Sequence, residues 1–254
     1  MTQTKPWETA LPDVDRSPPP VDMEAFALSE VYTSLIHLGM VTNARSQQLA
    51  IGSSEAGHPC DRRLAYRLHG VPPTNLRDTM RLLSGSEAHA ELAGIFTRLG
   101  QRSGRFLVEQ PVIYKTIPGQ VDLYDRLNGT VIDFKTTTLK RLRQIRTEGP
   151  PRAYQVQLML YAAGLRELGE DPRRVALLYL AIDGELTDAF CWQRPVDITL
   201  ADDATERLAR LAGVRPEDAQ AVPDRLCPWC AHFRPGSVDL ATGCPGPQQS
   251  TEDK

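Results

Sequence analysis

The stretch from Gly119 to Thr138, GQVDLYDRLNGTVIDFKTTT, carries Asp122, Asp133 and Lys135 inside runs that otherwise have strand character. Charged side chains are poor strand formers, so three of them in one hairpin face something that rewards them. Asn128-Gly129 is a two-residue turn signal, because both residues tolerate the positive φ of a type I′ turn. Leu127 then faces Thr130, which puts Tyr124 opposite Asp133 and Asp122 opposite Lys135. Alternation places Asp122, Asp133 and Lys135 on one face and Leu123, Ile132 and Phe134 on the other. Two carboxylates and an ammonium at the ~5 Å spacing of opposed strand residues suit a hard divalent cation beside a phosphodiester. The cation, Mg²⁺ or Mn²⁺, activates water and neutralises phosphate charge, while Lys135 orients the water or stabilises the transition state. A cross-strand salt bridge on a solvated sheet face has the same spacing, so the other elements must decide.

From Met23 to about Leu49 the apolar spacing is helical, and IGSSEAGHPC reads as a loop. A second helix starts near Cys60 in CDRRLAYRLHG and stops before Pro72-Pro73. A long helix with two internal glycines runs from Arg77 to Gly100. RFLVEQPVIY is a strand ahead of the hairpin, and LKRLRQIR is a basic helix after it. A helix from about Pro151 to Leu168, the strands VALLYLAI and LTDAFCWQ, and a helix around Leu200 to Leu211 complete the order. This order predicts an α/β fold with a mixed central β-sheet flanked by helices. The expected organisation is a polar, proline-rich arm at 1–22, a helical region at 23–76, a core at 77–213, a cysteine region at 214–246 and a tail at 247–254.

At 254 residues, 24% charged and 41% hydrophobic, the chain is ordinary for a globular protein with a real core. It holds no run of eighteen apolar residues that could span a bilayer, so no membrane association is expected. The start MTQTKPWETALPDVDRSPPP lacks the basic and apolar regions of a secretory signal, which leads us to expect a cytoplasmic protein. A net charge of −3 argues against coating nucleic acid by bulk electrostatics, but leaves room for a local basic groove. Five cysteines in a reducing compartment serve metals or stay free.

Asp-x-Lys after an upstream Asp, preceded by a helix bearing GSEAH and followed by a helix bearing QLMLY, resembles the PD-(D/E)xK nuclease superfamily, specifically its RecB-like branch. The resemblance covers roughly residues 50 to 246. It implies a restriction-endonuclease-like core, with His89 as a metal ligand beside Asp122, Asp133 and the Phe134 carbonyl. Glu109 matches an acidic position on the strand before the hairpin. Gln157 and Tyr161 match a Q-x-x-x-Y motif, and their i, i+4 spacing puts both on one helix face, where they contact substrate or brace the site.

Cys227 and Cys230 in CPWC form a chelating pair, with Cys244 downstream and Cys60 far upstream. One cysteine before the core and three after it resemble the iron–sulfur RecB-like nucleases, including the AddB nuclease domain and the fourth CRISPR-associated (Cas) family. Cys60-Asp61-Arg62 resembles the start of the basic segment that follows the first ligand there. The resemblance implies a [4Fe–4S] cluster stapling the ends of the fold, although four thiolates equally bind structural Zn²⁺. His232 is a candidate substitute ligand, although a surface position is expected for it, and Cys191 is expected as a free core thiol.

Lys140, Arg141, Arg143 and Arg146 follow the lysine strand, with Leu139, Leu142 and Ile145 spaced to pack inward. Such a helix lies along a phosphate backbone or forms a solvated face. Arg62, Arg63 and Arg67 form a weaker second patch. With no base-reading motif visible, contact is expected through backbone and strand shape. The expected activity is metal-dependent hydrolysis of DNA by an exonuclease favouring single-stranded ends. A homo-oligomer, or a nuclease, helicase or integrase partner, is compatible with that role. The rivals are a non-catalytic DNA-end-binding adaptor and a structural zinc protein with an accidental hairpin.

Overall fold

The computed structural model describes residues 51–247 apart from 76–79, Arg102 and Arg225, together with Glu30, Val31 and Thr33; residues 80–86 are described as helix backbone. The chain divides into two units, Met1–Gln47 and Gln48–Lys254, and every element below belongs to the second. The proline-rich arm and all but three residues of the helix expected from Met23 to Leu49 lie outside the described residues.

Five strands pair in sequence order: β1 (Phe106–Tyr114), β2 (Ile117–Asp125), β3 (Thr130–Thr137), β4 (Arg174–Ala181) and β5 (Phe190–Pro195). The neighbours β1/β2, β2/β3 and β4/β5 are antiparallel, while β3/β4 is parallel, so the sheet is mixed as expected. A parallel pair needs a long crossover, supplied here by α4 (Leu139–Glu148) and α5 (Arg152–Glu167). Ahead of the sheet stand α1 (Ser53–Ala56), α2 (Asp61–Leu68) and α3 (Met80–Gly100); α6 (Thr199–Leu211) follows it. The core centres on α5, buried continuously from Val156 to Leu165 and packed on β1, β2 and α6. A helix apolar nearly all round is a core helix, and residues such as Leu158, Met159 and Leu160, fully out of water, each contribute about 1.5–3 kcal/mol of burial.

The β2–β3 connection departs from the expected two-residue turn. Asp125 pairs with Thr130, Tyr124 with Val131 and Leu123 with Ile132, so Arg126–Gly129 form a four-residue loop. The cause is the Asp125 carboxylate. It accepts from the Leu127 backbone at 3.1 Å and the Asn128 side chain at 2.7 Å, and Arg105 grips it at 2.8 and 2.7 Å. Gly129, at φ +60, then turns its carbonyl to accept from the backbones of Arg173 and Arg174. The Arg105 guanidinium holds the Asp125 carboxyl below the usual carboxylate range. That contribution to stability is present above about pH 4 and is lost as pH falls below it. Asp125→Ala should lower stability by about 1–3 kcal/mol, read as a reduced urea midpoint at pH 7, with a smaller difference at pH 3.

Two smaller expectations fail for local reasons. The segment read as a loop after Ile51 contains α1, whose Ser53 hydroxyl bonds the Pro118 carbonyl at 3.0 Å and fastens it to β2. The strand read from Leu186 starts only at Phe190, because Glu185 and Asp188 form a capping box around a 3-10 turn at Leu186–Asp188. No helix among the described residues is long and apolar enough to cross a membrane.

Candidate active site

Alternation along β3 sends Asp133 and Lys135 to the face covered by α5 and Phe134 to the other, where it stacks on Phe96 of α3 at 5.8 Å. The observed register differs by two residues from the expected one. One step beyond Leu123↔Ile132, Asp122 comes level with Asp133 rather than with Lys135. A two-residue slip leaves the facing set unchanged, since side chains alternate with period two. Asp122 sits where β2 leaves β3, and its Oδ2 accepts from the Phe134 backbone at 2.8 Å. From α3, His89 brings Nδ1 to 3.4 Å from the same oxygen. Glu109 lies between the pairs Val108↔Leu123 and Gln110↔Val121, level with Asp122, with a φ of +49. A non-glycine residue in that region stores strain, and its side chain is tied to Gln120.

The electrostatics of the site suit a cation. Asp133 is 1% exposed and Asp122 7%. Burial first, and the charge of Asp133 second, push the Asp122 carboxyl up to about 7; Glu109 adds to this, while the Phe134 N–H and Lys135 oppose it. Asp133 Oδ2 has no hydrogen bond, although the Lys135 ammonium stands 2.5 Å away at an angle that makes only an ion pair. Two buried carboxylates crowded together, with one ammonium between them and the solvent, fit a divalent metal. Among the described residues no three His, Cys, Asp or Glu side chains already converge as a cage. A proton and a metal compete for Asp122, so Mn²⁺ affinity should rise as pH rises towards about 7 and level off above it. Titration calorimetry from pH 5.5 to 8.5 reads this, and Asp122→Asn should flatten it. Without metal the sign reverses: the raised Asp122 pKa favours the folded state most below about pH 4, and that contribution is lost as pH climbs through about 7.

Gln157 and Tyr161 are buried at 3% and 4% exposure. Gln157 donates to the Tyr161 hydroxyl at 2.7 Å and accepts from Lys135 at 3.4 Å. Gly119 lets Tyr161 in, since a methyl there would lie 2.8 Å from the tyrosine ring and 2.5 Å from Ser53 Oγ. Tyr154, one turn before Gln157, places its ring 4.8 Å under the Lys135 ammonium. It went unread in the sequence, though its i, i+3 relation to Gln157 was the available signal.

On α4, Leu142 and Ile145 are buried while Lys140, Arg143 and Arg146 are exposed, and Thr138 caps the helix by accepting from Arg141 N. Arg141 is half-buried and donates to Gln144 at 2.9 Å. The second basic patch is spent internally. Arg62 bonds the Pro216 and Ala219 carbonyls, Arg63 reaches His58, and Arg67 pairs with Glu55.

Cys60 precedes α2, Cys227 and Cys230 flank a 3-10 turn, and Cys244 bridges to Phe233. Burial pushes the thiols of Cys227 and Cys230 up, and Cys60 and Cys244 add to the shift in both, but among the described residues no three of these side chains converge to hold a metal ion. Hydrogen bonds already close this region: Tyr66 to the Leu240 carbonyl at 2.6 Å, and Asn75 to Pro228 and Cys230 at 2.9 Å each. His232 is not at the surface. It is 1% exposed and stacked on Tyr66 at 4.8 Å, with neither ring nitrogen hydrogen-bonded; burial lowers its pKa to about 4, with Arg63 and Arg67 adding and the nearby Pro72 carbonyl opposing. Cys191 is exposed rather than in the core, because β5 is an edge strand and Cys191 is on its outer face.

A family model of the PD-(D/E)XK nuclease superfamily matches residues 44–234. No curated protein matches the chain. Among solved structures, an alkaline exonuclease (LHK-Exo) from Laribacter hongkongensis is 12% identical, with a TM-score of 0.47 over 66% of this chain and 90% of that one. SSO0001 is 15% identical, with a TM-score of 0.48 over 80% and 93%. A phage related exonuclease from Haemophilus somnus 129PT is 16% identical, with a TM-score of 0.39 over 60% and 77%.

Proposed function

The chain belongs to the PD-(D/E)XK nuclease superfamily, and from that membership we propose that it is a metal-dependent deoxyribonuclease working from DNA ends. The observation that carries this reading is the pair of buried carboxylates, Asp122 and Asp133, with the Lys135 ammonium against Asp133. Asp122, Asp133, His89 and the Phe134 carbonyl would hold Mg²⁺ or Mn²⁺, which supplies an activated water and neutralises charge on the scissile phosphate. Lys135 stabilises the charge that builds on the phosphate, since it is steered by Asp133, Gln157 and the Tyr154 ring. Lys140, Arg143 and Arg146 supply a sequence-independent surface for the backbone.

The preference for single-stranded ends rests on the RecB-like pattern of His89, Gln157 and Tyr161. The sequence pattern of Cys60, Cys227, Cys230 and Cys244 supports a thiolate-bound centre, [4Fe–4S] by that resemblance and Zn²⁺ by ligand chemistry alone. Linear and circular single strands of one sequence, incubated with Mn²⁺, Mg²⁺ or EDTA, test the activity. Loss of the linear strand alone, and only with metal, is expected. Equal cutting of the circle replaces the end-directed reading with an endonuclease.

A non-catalytic end-binding adaptor is the second reading. The intact Asp122, Asp133 and Lys135 set weighs against it.

A further inference from the structure

Beside Lys135 a cavity of about 100 Å³ opens between β3, β4, α4 and α5. Parallel pairing of Lys135 with Tyr179 builds its floor, because directly paired residues share a face of the sheet. Tyr154 from α5 and Arg141 from α4 close it, and Thr136 and Thr137 complete the polar lining. We propose that this cavity is a phosphate subsite, taking the DNA phosphate adjacent to the one cleaved; the inference rests on the nuclease reading above.

Three observations carry it. The lining offers an ammonium, a guanidinium and four hydroxyl-bearing side chains, with no carboxylate among them. The Tyr179 hydroxyl is buried and has no hydrogen-bond partner, and native proteins rarely leave such a group unpaired. The space holds about three waters at ~30 Å³ each, enough for a phosphate group and too small for a nucleoside. A water would satisfy the hydroxyl alone. A phosphate would also accept from Lys135, which otherwise pairs with Asp133, and from Arg141, which otherwise reaches Gln144 and Glu148. Burial keeps the Tyr179 hydroxyl protonated, with Tyr154 and Asp133 adding to the shift and Arg141 opposing it, so the group is a permanent donor.

Inorganic phosphate titrated into EDTA-treated protein tests this directly. We expect saturable binding that Tyr179→Phe weakens about tenfold, the worth of one hydrogen bond to a charged acceptor. With DNA and Mn²⁺, Tyr179→Phe should raise KM about tenfold and change kcat by less, while its melting temperature stays within that of a neutral substitution. Substrates with a 5′-phosphate, a 3′-phosphate or neither then separate sources: a KM effect limited to one of them marks an end phosphate, and an effect on all marks an internal one. Identical phosphate affinity and KM in wild type and Tyr179→Phe overturns the subsite while leaving cleavage standing. Tyr179-dependent phosphate binding by a protein that cleaves no DNA keeps the subsite and removes the nuclease reading.

Discussion

Lys135→Ala should lower the rate of DNA cleavage at saturating Mn²⁺ by about 10²–10³-fold while leaving Mn²⁺ binding nearly intact. The lysine is no metal ligand in this arrangement. It is a cation placed where phosphate charge develops, and removing one such preorganised group costs about that factor. Three contacts fix its position: the Asp133 carboxylate, the Gln157 amide oxygen at 3.4 Å and the Tyr154 ring at 4.8 Å. Lys135→Arg should not rescue it, since a planar fork cannot replace a point charge held in that cradle. Single-turnover cleavage and Mn²⁺ calorimetry on the same preparation separate the two effects. Cleavage at the wild-type rate by Lys135→Ala would remove the lysine from the mechanism.

The second large effect concerns the thiols. On the proposed thiolate-bound centre, Cys227→Ala or Cys230→Ala should lower the melting temperature by about 10 °C or more, because metal binding at such a site is folding free energy. Cys191→Ala should be nearly neutral, since that side chain is exposed on the edge strand. Visible colour in anaerobically purified protein, bleached by reduction, marks an iron–sulfur centre; a colourless protein with one equivalent of zinc marks the other. Colourless, metal-free protein that tolerates Cys227→Ala would overturn the thiolate-bound centre and leave hydrogen bonds such as those of Tyr66 and Asn75 to close the region.

What the sequence made legible follows from which signals are local. The strand face of Asp133 and Lys135 was readable because a period of two survives a two-residue error in register. The register itself was not, because Asn128-Gly129 looks like a tight turn until the Asp125 side chain closes a longer loop with Arg105. The helical stripe of Gln157 and Tyr161 was readable from i, i+4 spacing; their burial came from α1 and Gly119, which only the fold brings to them. His232 looks solvent-facing beside Phe233 and Arg234, yet Tyr66 from the far end of the unit covers its ring. Tyr179 reads as one more strand residue in VALLYLAI. Its place beside Lys135 depends on parallel pairing across the whole α4–α5 crossover, a contact that no local pattern reports.

The central claim is that Asp122 and Asp133 hold a divalent cation that hydrolyses DNA. The most direct measurement compares wild type and Asp133→Asn, purified in parallel, on end-labelled single-stranded DNA with Mn²⁺ and with EDTA. Asparagine keeps the volume of the buried side chain but removes its charge. Wild type should degrade the strand only with metal, and Asp133→Asn should be at least about 10²-fold slower while remaining folded. Degradation by Asp133→Asn at the wild-type rate, or wild-type protein that binds the strand and leaves it intact with either Mn²⁺ or Mg²⁺, would contradict the claim.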